Sequence, residues 1–425
     1  MSTTSFYTAI SGLRAYGQAM GVISNNIANV NTIGFKGSRT AFEDMLSQQM
    51  TGTSGQSQVG RGVRVAAVHR LFDQATFETT GSGTDLAIDG NGFFIVTKAG
   101  LREYTRAGQF YLDEDGLLIN HQQYVLQGWG LDEDGNIDST LQDINLSSIT
   151  SAPEATDNVE MHLNLDANAT TLGPGTFDVL DPLNTSNYSN SLTVYDALGN
   201  WHLATFYYTK ADTDSWEWNL VLQGGEVVGQ PNDFVAASGT LDFTDGRMQT
   251  ETITAPFGWQ FNGTTAAQTM DFEFGESIDE GGSGLDGTSQ FAGESLTKFL
   301  SQDGYARGDL VSIQIDQDGL LSGMFNNGHS RAVYQLALAR FTSPWGLSST
   351  GKTMFVETAI SGPPIIGEPG TTGLGSVNSN TLEMSNVDLA TEFVEMIKTQ
   401  QAFQANSRVI TTTDQLLQEV VNLKR

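Results

Sequence analysis

Two long helices at the chain ends, enclosing nested β domains in a mixed but mainly β fold, are what this 425-residue sequence predicts. Three observations carry that reading. Apolar heptads are confined to residues 1–35 and 382–425, alternating apolar runs with Asp/Gly turns fill the space between, and one turn wording occurs on both sides of a distinct central stretch.

The N-terminal helix is the clearest element. Phe6, Leu13, Met20 and Ile27 recur every seven residues, with Ala9, Tyr16, Ile23 and Val30 offset by three, which makes an a/d seam. Arg14 is the sole charged side chain in residues 1–35, and the back of the helix is Ser, Thr, Gln, Asn and Gly. Such a helix is suited to being surrounded by other helices. Asn25 and Asn29 share a stripe beside Asn26, so their amides could bridge a helix contact, and Gly34 supplies a left-handed stop with Phe35 as an apolar clasp.

The C-terminal helix has Leu389, Met396, Phe403, Ile410 and Leu417 at a spacing of seven, and Ser385 with Asp388 reads as a capping box. Its other seam is mixed: Phe393, Gln400, Ser407, Asp414 and Val421. No proline precedes Pro153 or follows Pro369, so nothing breaks either helix. The two are expected to pack together as a coiled-coil-like axial core.

Between them, "DLAIDGNGFFIV" places a turn at Asp89–Gly92 between two strands, and "YTRAGQFYLDEDGLLIN" and "YVLQGWGLDEDGNI" continue in hairpins. The echo of "LDEDGLL" in "IDQDGLL" points to one β domain built from both flanks of an insertion. The predicted layout is 1–35 with 382–425 as helical core, 36–75 as linker, 76–148 with 300–370 as inner β domain, 149–299 as inserted outer β domain, and 371–381 as a second linker. In the insertion, Trp201, Tyr207, Tyr208, Trp216 and Trp218 are expected to alternate into a β core.

Composition limits function. A formal charge of −29, from 20 Lys+Arg against 49 Asp+Glu, excludes nucleic acid and anionic membrane surfaces as partners. The acid belongs to the middle, since residues 1–70 hold six Lys/Arg against two Asp/Glu. The absence of cysteine removes disulfides, thiolate metal sites and a Cys nucleophile. No run reaches the roughly 18 apolar residues of a span, so no membrane insertion is expected. "MSTTSFYTAISGLRAYG" lacks a cleavable secretory signal, so export would need another route.

Chemistry-bearing motifs are missing. Asp113–Gly116, Asp132–Gly135 and Asp316–Gly319 put Gly fourth, where a calcium loop needs it sixth, so they read as hairpin turns. His69, His121, His162, His202 and His329 are scattered singly, and Gly81-Ser82-Gly83 opens no dinucleotide fingerprint. No catalytic residue, metal or cofactor is expected.

"NNIANVNTIGFK", "TDLAIDGNGFFIV", "YTRAGQFYLDEDGLLINHQQYVLQGW" and "LEMSNVDLATEFVEMIKTQQAFQANSRVITTTDQLLQ", in this order, closely resemble the signatures of the bacterial flagellar rod and hook axial protein family, with the last in hook wording. Asn25, Asn26, Asn29, Thr32, Gly34, Phe35, Lys36, Asn386, Asp388 and Asn406 carry that resemblance. Gln401 departs from it, because the family usually has Arg there.

The resemblance implies a non-enzymatic hook subunit that polymerises into a flexible helical tube, joins rod to filament and transmits torque from an extracellular position. Its implied partners are further copies of itself, a distal rod protein, a hook cap protein, a hook–filament junction protein and the flagellar type III export apparatus. Phe6, Leu13, Met20, Ile27, Leu389, Met396, Phe403 and Ile410 are the expected axial assembly contacts. A distal rod protein is the nearest alternative, disfavoured by the large insertion, and a secreted β-rich adhesin is a more distant one.

Overall fold

The computed structural model describes residues 2–45, 48–52, 55–132, 135–147, 149–254 and 258–422. It is mainly β, with helices at Ser2–Ala28 (the N-helix) and Leu389–Asn422 (the C-helix). The chain divides into two compact units: Met1–Ile149 with Ser312–Met324 and Ser330–Arg425, and Thr150–Val311 with Phe325–His329.

In the first unit, Phe93–Lys98 pairs with Leu101–Thr105, Val125–Leu131 and Leu338–Arg340, so residues far apart in sequence share one sheet. Phe93, Tyr104, Phe341 and Phe355 fill its core, with rings packed edge to face. The Asp89–Gly92 turn is present, with Gly90 and Gly92 at φ +108° and +141°. The strands on either side of it do not form a hairpin. Leu86–Asp89 pairs instead with Ser376–Ser379, because buried strands select partners by packing as well as proximity.

Both segments read as linkers carry strands. Ser38–Asp44 and Val63–Arg70 form an antiparallel ladder, and Thr381–Glu383 pairs with Phe77–Thr79. The first ladder packs on the N-helix: the Tyr16 and Phe42 rings lie 5.4 Å apart, and Val63 N–H donates to Ser11 Oγ at 3.2 Å. The N-helix therefore meets a neighbour within its own chain through Tyr16 of the seam and Ser11 of the back.

In the second unit, Tyr188–Tyr195, Trp201–Asp212, Ser215–Leu222, Phe234–Thr244 and Arg247–Ile253 follow each other in an antiparallel meander. Strict alternation turns Trp216, Trp218, Leu220 and Leu222 inward, where they meet Phe206, Phe272 and Phe274. Of the aromatics expected in this core, Tyr208, Trp216 and Trp218 are fully buried, whereas Trp201 is 68% exposed and Tyr207 half-buried. Those two side chains fall on the opposite face of the strand from His202, Ala204, Phe206 and Tyr208.

The aspartate motifs share one turn. In Asp113–Gly116 and Asp316–Gly319 the Asp N–H bonds the carbonyl four residues on, the Gly N–H returns to the Asp carbonyl, and the Asp carboxylate accepts a backbone N–H. Asp132 and Gly135 make the same bonds, while Glu133 and Asp134 lie outside the described residues. Asp196–Asn200 repeats the pattern in the second unit. These carboxylates close hairpins, with Gly116, Gly135, Gly199 and Gly319 all at positive φ.

Candidate assembly surface

The N-helix ends at Ala28, short of the stop expected at Gly34. Asn29 then turns back on the helix, its amide donating to the Asn25 carbonyl at 2.9 Å, while Thr32 Oγ1 donates to Asn29 Oδ1 at 3.1 Å. Asn25 and Asn29 are thus bonded to each other, and neither amide bonds the C-helix among the described residues, Asn29 lying beyond the last helical turn. Asn26 does cross: it is buried, donates to Ser38 O at 2.8 Å and Glu392 Oε1 at 3.0 Å, and accepts from Ser38 N–H at 2.9 Å. Burial raises the Glu392 pKa, opposed by that amide, with nearby Glu395 adding to the rise.

Gly34 keeps the left-handed conformation predicted for it, at φ +65°, and a Cβ there would lie 2.5 Å from the Ala107 nitrogen. Glycine is required twice over, by backbone angle and by contact. Phe35, half-buried, accepts the Asn386 N–H at 3.3 Å. Asn386 in turn accepts Gly37 N–H at 2.7 Å and donates to the Leu71 carbonyl at 2.9 Å.

Next to this turn lies a buried ion triad. Lys36 Nζ is 2.7 Å from Glu383 Oε1 and 2.8 Å from the Asp73 carbonyl, and Arg106 reaches Glu383 Oε2 at 3.2 Å. The side chains of Lys36 and Glu383 are fully buried. Burial lowers both the Lys36 and Arg106 pKa values, and the Glu383 carboxylate opposes it in each case. The triad joins the exit of the N-helix, the approach to the C-helix and the β body. Sequence reasoning singled out Lys36 but neither Glu383 nor Arg106, although both stand inside the motifs "LEMSN" and "YTRAGQF".

The C-helix starts with Asp388 as its N-cap, the carboxylate accepting Ala390 N–H at 2.7 Å. Ser385 stands outside the helix, so the expected capping box is replaced by a single aspartate cap. The helices run antiparallel, since Gly12 faces Asn406 and Asn26 faces Glu392. A Cβ on Gly12 would come within 2.8 Å of Asn406 Oδ1. The N-helix buries Ala9, Gly12, Ala15, Ala19 and Asn26, and the C-helix buries Thr399 and Thr413, with Asn406 half-buried between them. Small and polar residues form this pairing because they let two backbones approach closely. On the C-helix, Glu392, Thr399, Asn406 and Thr413 are a heptad one residue ahead of the mixed seam read from sequence.

The large apolar residues are covered less completely. Phe6, Leu13, Met20, Ile27, Met396 and Ile410 are half-buried, and Leu389 and Phe403 are each 40% exposed. Beyond them the C-helix exposes Phe393, Val394, Ile397, Val409 and Leu416, each between 44% and 53%. Gln401 is also exposed. Phe393, Val394 and Ile397 form one group and Val409 and Leu416 another, with Gln401, Gln404 and Arg408 exposed between them, and exposed apolar groups of this kind are a feature of interaction surfaces. No described helix is long and apolar enough to cross a membrane.

Comparison with known proteins gives matching assignments along the chain. Family models match at residues 6–36 (flagella basal body rod protein), 87–160 (flagellar hook protein FlgE/F/G D1 domain), 164–305 (flagellar basal body protein FlaE D2 domain) and 378–423 (flagellar basal body rod FlgEFG protein C-terminal). The flagellar hook protein FlgE of Borreliella burgdorferi is 37% identical over 99% of both chains. That of Salmonella typhimurium is 34% identical over 99% of this chain and 100% of its own, and that of Treponema pallidum 33% identical over 99% of both. Similarity that runs the whole length of the chain, through both helices and both β units, makes this protein a member of the flagellar hook protein family.

Proposed function

We propose that the chain polymerises through the uncovered apolar side of the C-helix, seated against the helix pair of neighbouring copies. It is a structural subunit of the bacterial flagellar hook, the helical tube that joins rod to filament and transmits motor torque. The observation that carries the assembly reading is the stripe Phe393, Val394, Ile397, Val409 and Leu416, apolar and exposed beside a helix pairing that uses other residues. Phe6, Leu13, Met20, Ile27, Leu389, Met396, Phe403 and Ile410, half-buried or exposed in the single chain, are assigned to the axial contacts as well.

In this reading residues 1–35 and 382–425 form the axial core, 76–148 with 300–370 the inner β layer and 149–299 the outer one, joined by 36–75 and 371–381. The chain acts without catalysis or cofactor, beyond the cell surface, reached through the flagellar export apparatus without a cleaved signal. At its ends the polymer meets the distal rod protein and the hook–filament junction protein, and a cap protein attends its growth. A charge of −29 supports the absence of nucleic-acid and membrane partners.

Phe393→Ser with Ile397→Ser, expressed in a host lacking its own hook subunit, tests the assignment. Each buried side chain contributes about 1.5–3 kcal/mol, so polymer yield should fall about a hundredfold or more while the exported chain stays folded. Hooks of normal number and length, seen by electron microscopy, would overturn it.

A further inference from the structure

Beside the turn that ends the N-helix lies a cleft of about 420 Å³, and among the described residues that line it none is Asp or Glu. In a chain with 49 acidic residues this is a local reversal of charge. Its walls carry Arg70, Lys352 and His121 among amides such as Asn29, Asn120 and Gln122. Arg70 is half-buried, with its guanidinium 5.1 Å over the Phe355 ring, and no carboxylate lies within ion-pair distance of it among the described residues. Lys352 is exposed at the tip of a turn where Gly351, Lys352 and Thr353 all have positive φ, at +92°, +56° and +60°. A left-handed β-branched residue is costly, and such backbone persists where surroundings hold it, here through Thr105 Oγ1 donating to the Thr353 carbonyl at 3.0 Å. A half-buried guanidinium and an exposed lysine lining one cleft, neither with an ion-pair partner among the described residues, form a receptor for a carboxylate.

The complementary group stands at the other end of the same hairpin. Strands Phe110–Leu112 and Leu118–Asn120 pair through three residues each, with Asn120 at the cleft end and Glu114–Asp115 at the tip. At about 3.3 Å per residue the tip lies on the order of 10 Å or more from the cleft mouth, so this short hairpin cannot fold its own tip into it. Glu114 and Asp115 are exposed, and neither carboxylate has an ion pair or hydrogen-bond partner among the described residues. The related Asp316–Gly319 turn is already engaged by its own chain, where Val377 N–H donates to the Gln317 carbonyl at 3.0 Å and Gly319 faces Pro369.

We propose that the cleft receives the Glu114–Asp115 tip of a second copy of the chain, a head-to-tail contact between β bodies in the polymer. Donor and receptor at opposite ends of one hairpin define a heterologous interface, the kind that builds an open helical polymer wherever its rotation does not close into a ring. The inference rests on the subunit reading above and adds to it a specific, ionic contact outside the helices.

Charge reversal tests it. Lys352→Glu with Arg70→Gln, Glu114→Lys with Asp115→Lys, and all four together are expressed in a hook-less host beside the parent chain, and polymerised protein is measured in basal-body preparations. Each double variant should lose roughly tenfold of the polymer, the deficit shrinking as salt screens the parent's attraction and the variants' repulsion alike, and the four together should recover most of it. Should Arg70→Gln lower the melting temperature, Lys352→Glu alone, at an exposed position, carries the cleft arm. Double variants that polymerise like the parent overturn the contact, as does a folded quadruple variant no better than the doubles. A parent chain that forms no hook removes the subunit reading and this inference with it, whereas a parent that forms hooks with silent reversals removes this inference alone.

Discussion

Glu383 holds two cations that the fold has taken out of water. Removing one partner of a buried ion network costs about 3–5 kcal/mol, because the remaining charges stay buried without compensation. Glu383→Ala should therefore destabilise the first unit by about that amount, read as a lower urea midpoint, with Glu383→Gln recovering part through its remaining hydrogen bonds to Ala75 N–H and the cations. A second residue gives a pH dependence. Burial pushes the Glu251 carboxyl up to about 7, with Glu280 and Glu273 adding repulsion and the Phe274 backbone N–H opposing them. The folded chain favours the protonated acid, so the stability it contributes is complete below the ordinary value of 4.5 and is lost as pH rises through about 7. Glu251→Gln should narrow the gap in melting temperature between pH 4.5 and 8 by an amount equivalent to about 1–2 kcal/mol, discounted for the group's partial exposure. At this scale the sequence revealed Lys36 through its motif, but the carboxylate that neutralises it is 347 residues away. No local pattern encodes such a pairing.

Between the helices, contact depends on how small Gly12 is. A leucine there must displace Asn406 or push the helices apart, and overpacking of this kind costs about 1–3 kcal/mol. Gly12→Leu should speed amide exchange along both helices, and Asn406→Ala should restore part of the protection. Both helices and their packing together were legible, since seven-residue spacing survives in any reading frame of the pattern, whereas their antiparallel orientation was not. The face they share was not: large apolar residues dominate a heptad count, while this pairing runs on Ala, Gly, Thr and Asn. The hairpins closed by Asp-x-x-Gly turns were legible for the opposite reason, because their signal is local and chemical. Leu86–Asp89 with Ser376–Ser379 was not, as a ladder across most of the chain leaves no mark in either strand alone.

For the whole molecule, we assign different surfaces to the fold and to the polymer. The small-residue face makes the monomer's helix pair, and the apolar stripe remains for neighbours, so one helix serves fold and polymer without conflict. The β bodies add an ionic contact, which is cheap to break and remake in water. A tube that bends while carrying torque is served by both kinds: apolar helix contacts that persist and ionic contacts between β bodies that exchange. The acidic middle of the chain keeps the outer surfaces from adhering where no specific receptor stands.

Phe393, Ile397 and their neighbours on the C-helix are assigned to contacts buried between subunits. Helical reconstruction by electron cryomicroscopy of hooks formed by this chain measures that directly. The account predicts an inner tube of paired N- and C-helices with the Phe393–Leu416 stripe packed against adjacent copies. A polymer in which that stripe faces solvent, with subunits joined through the β units alone, would contradict it.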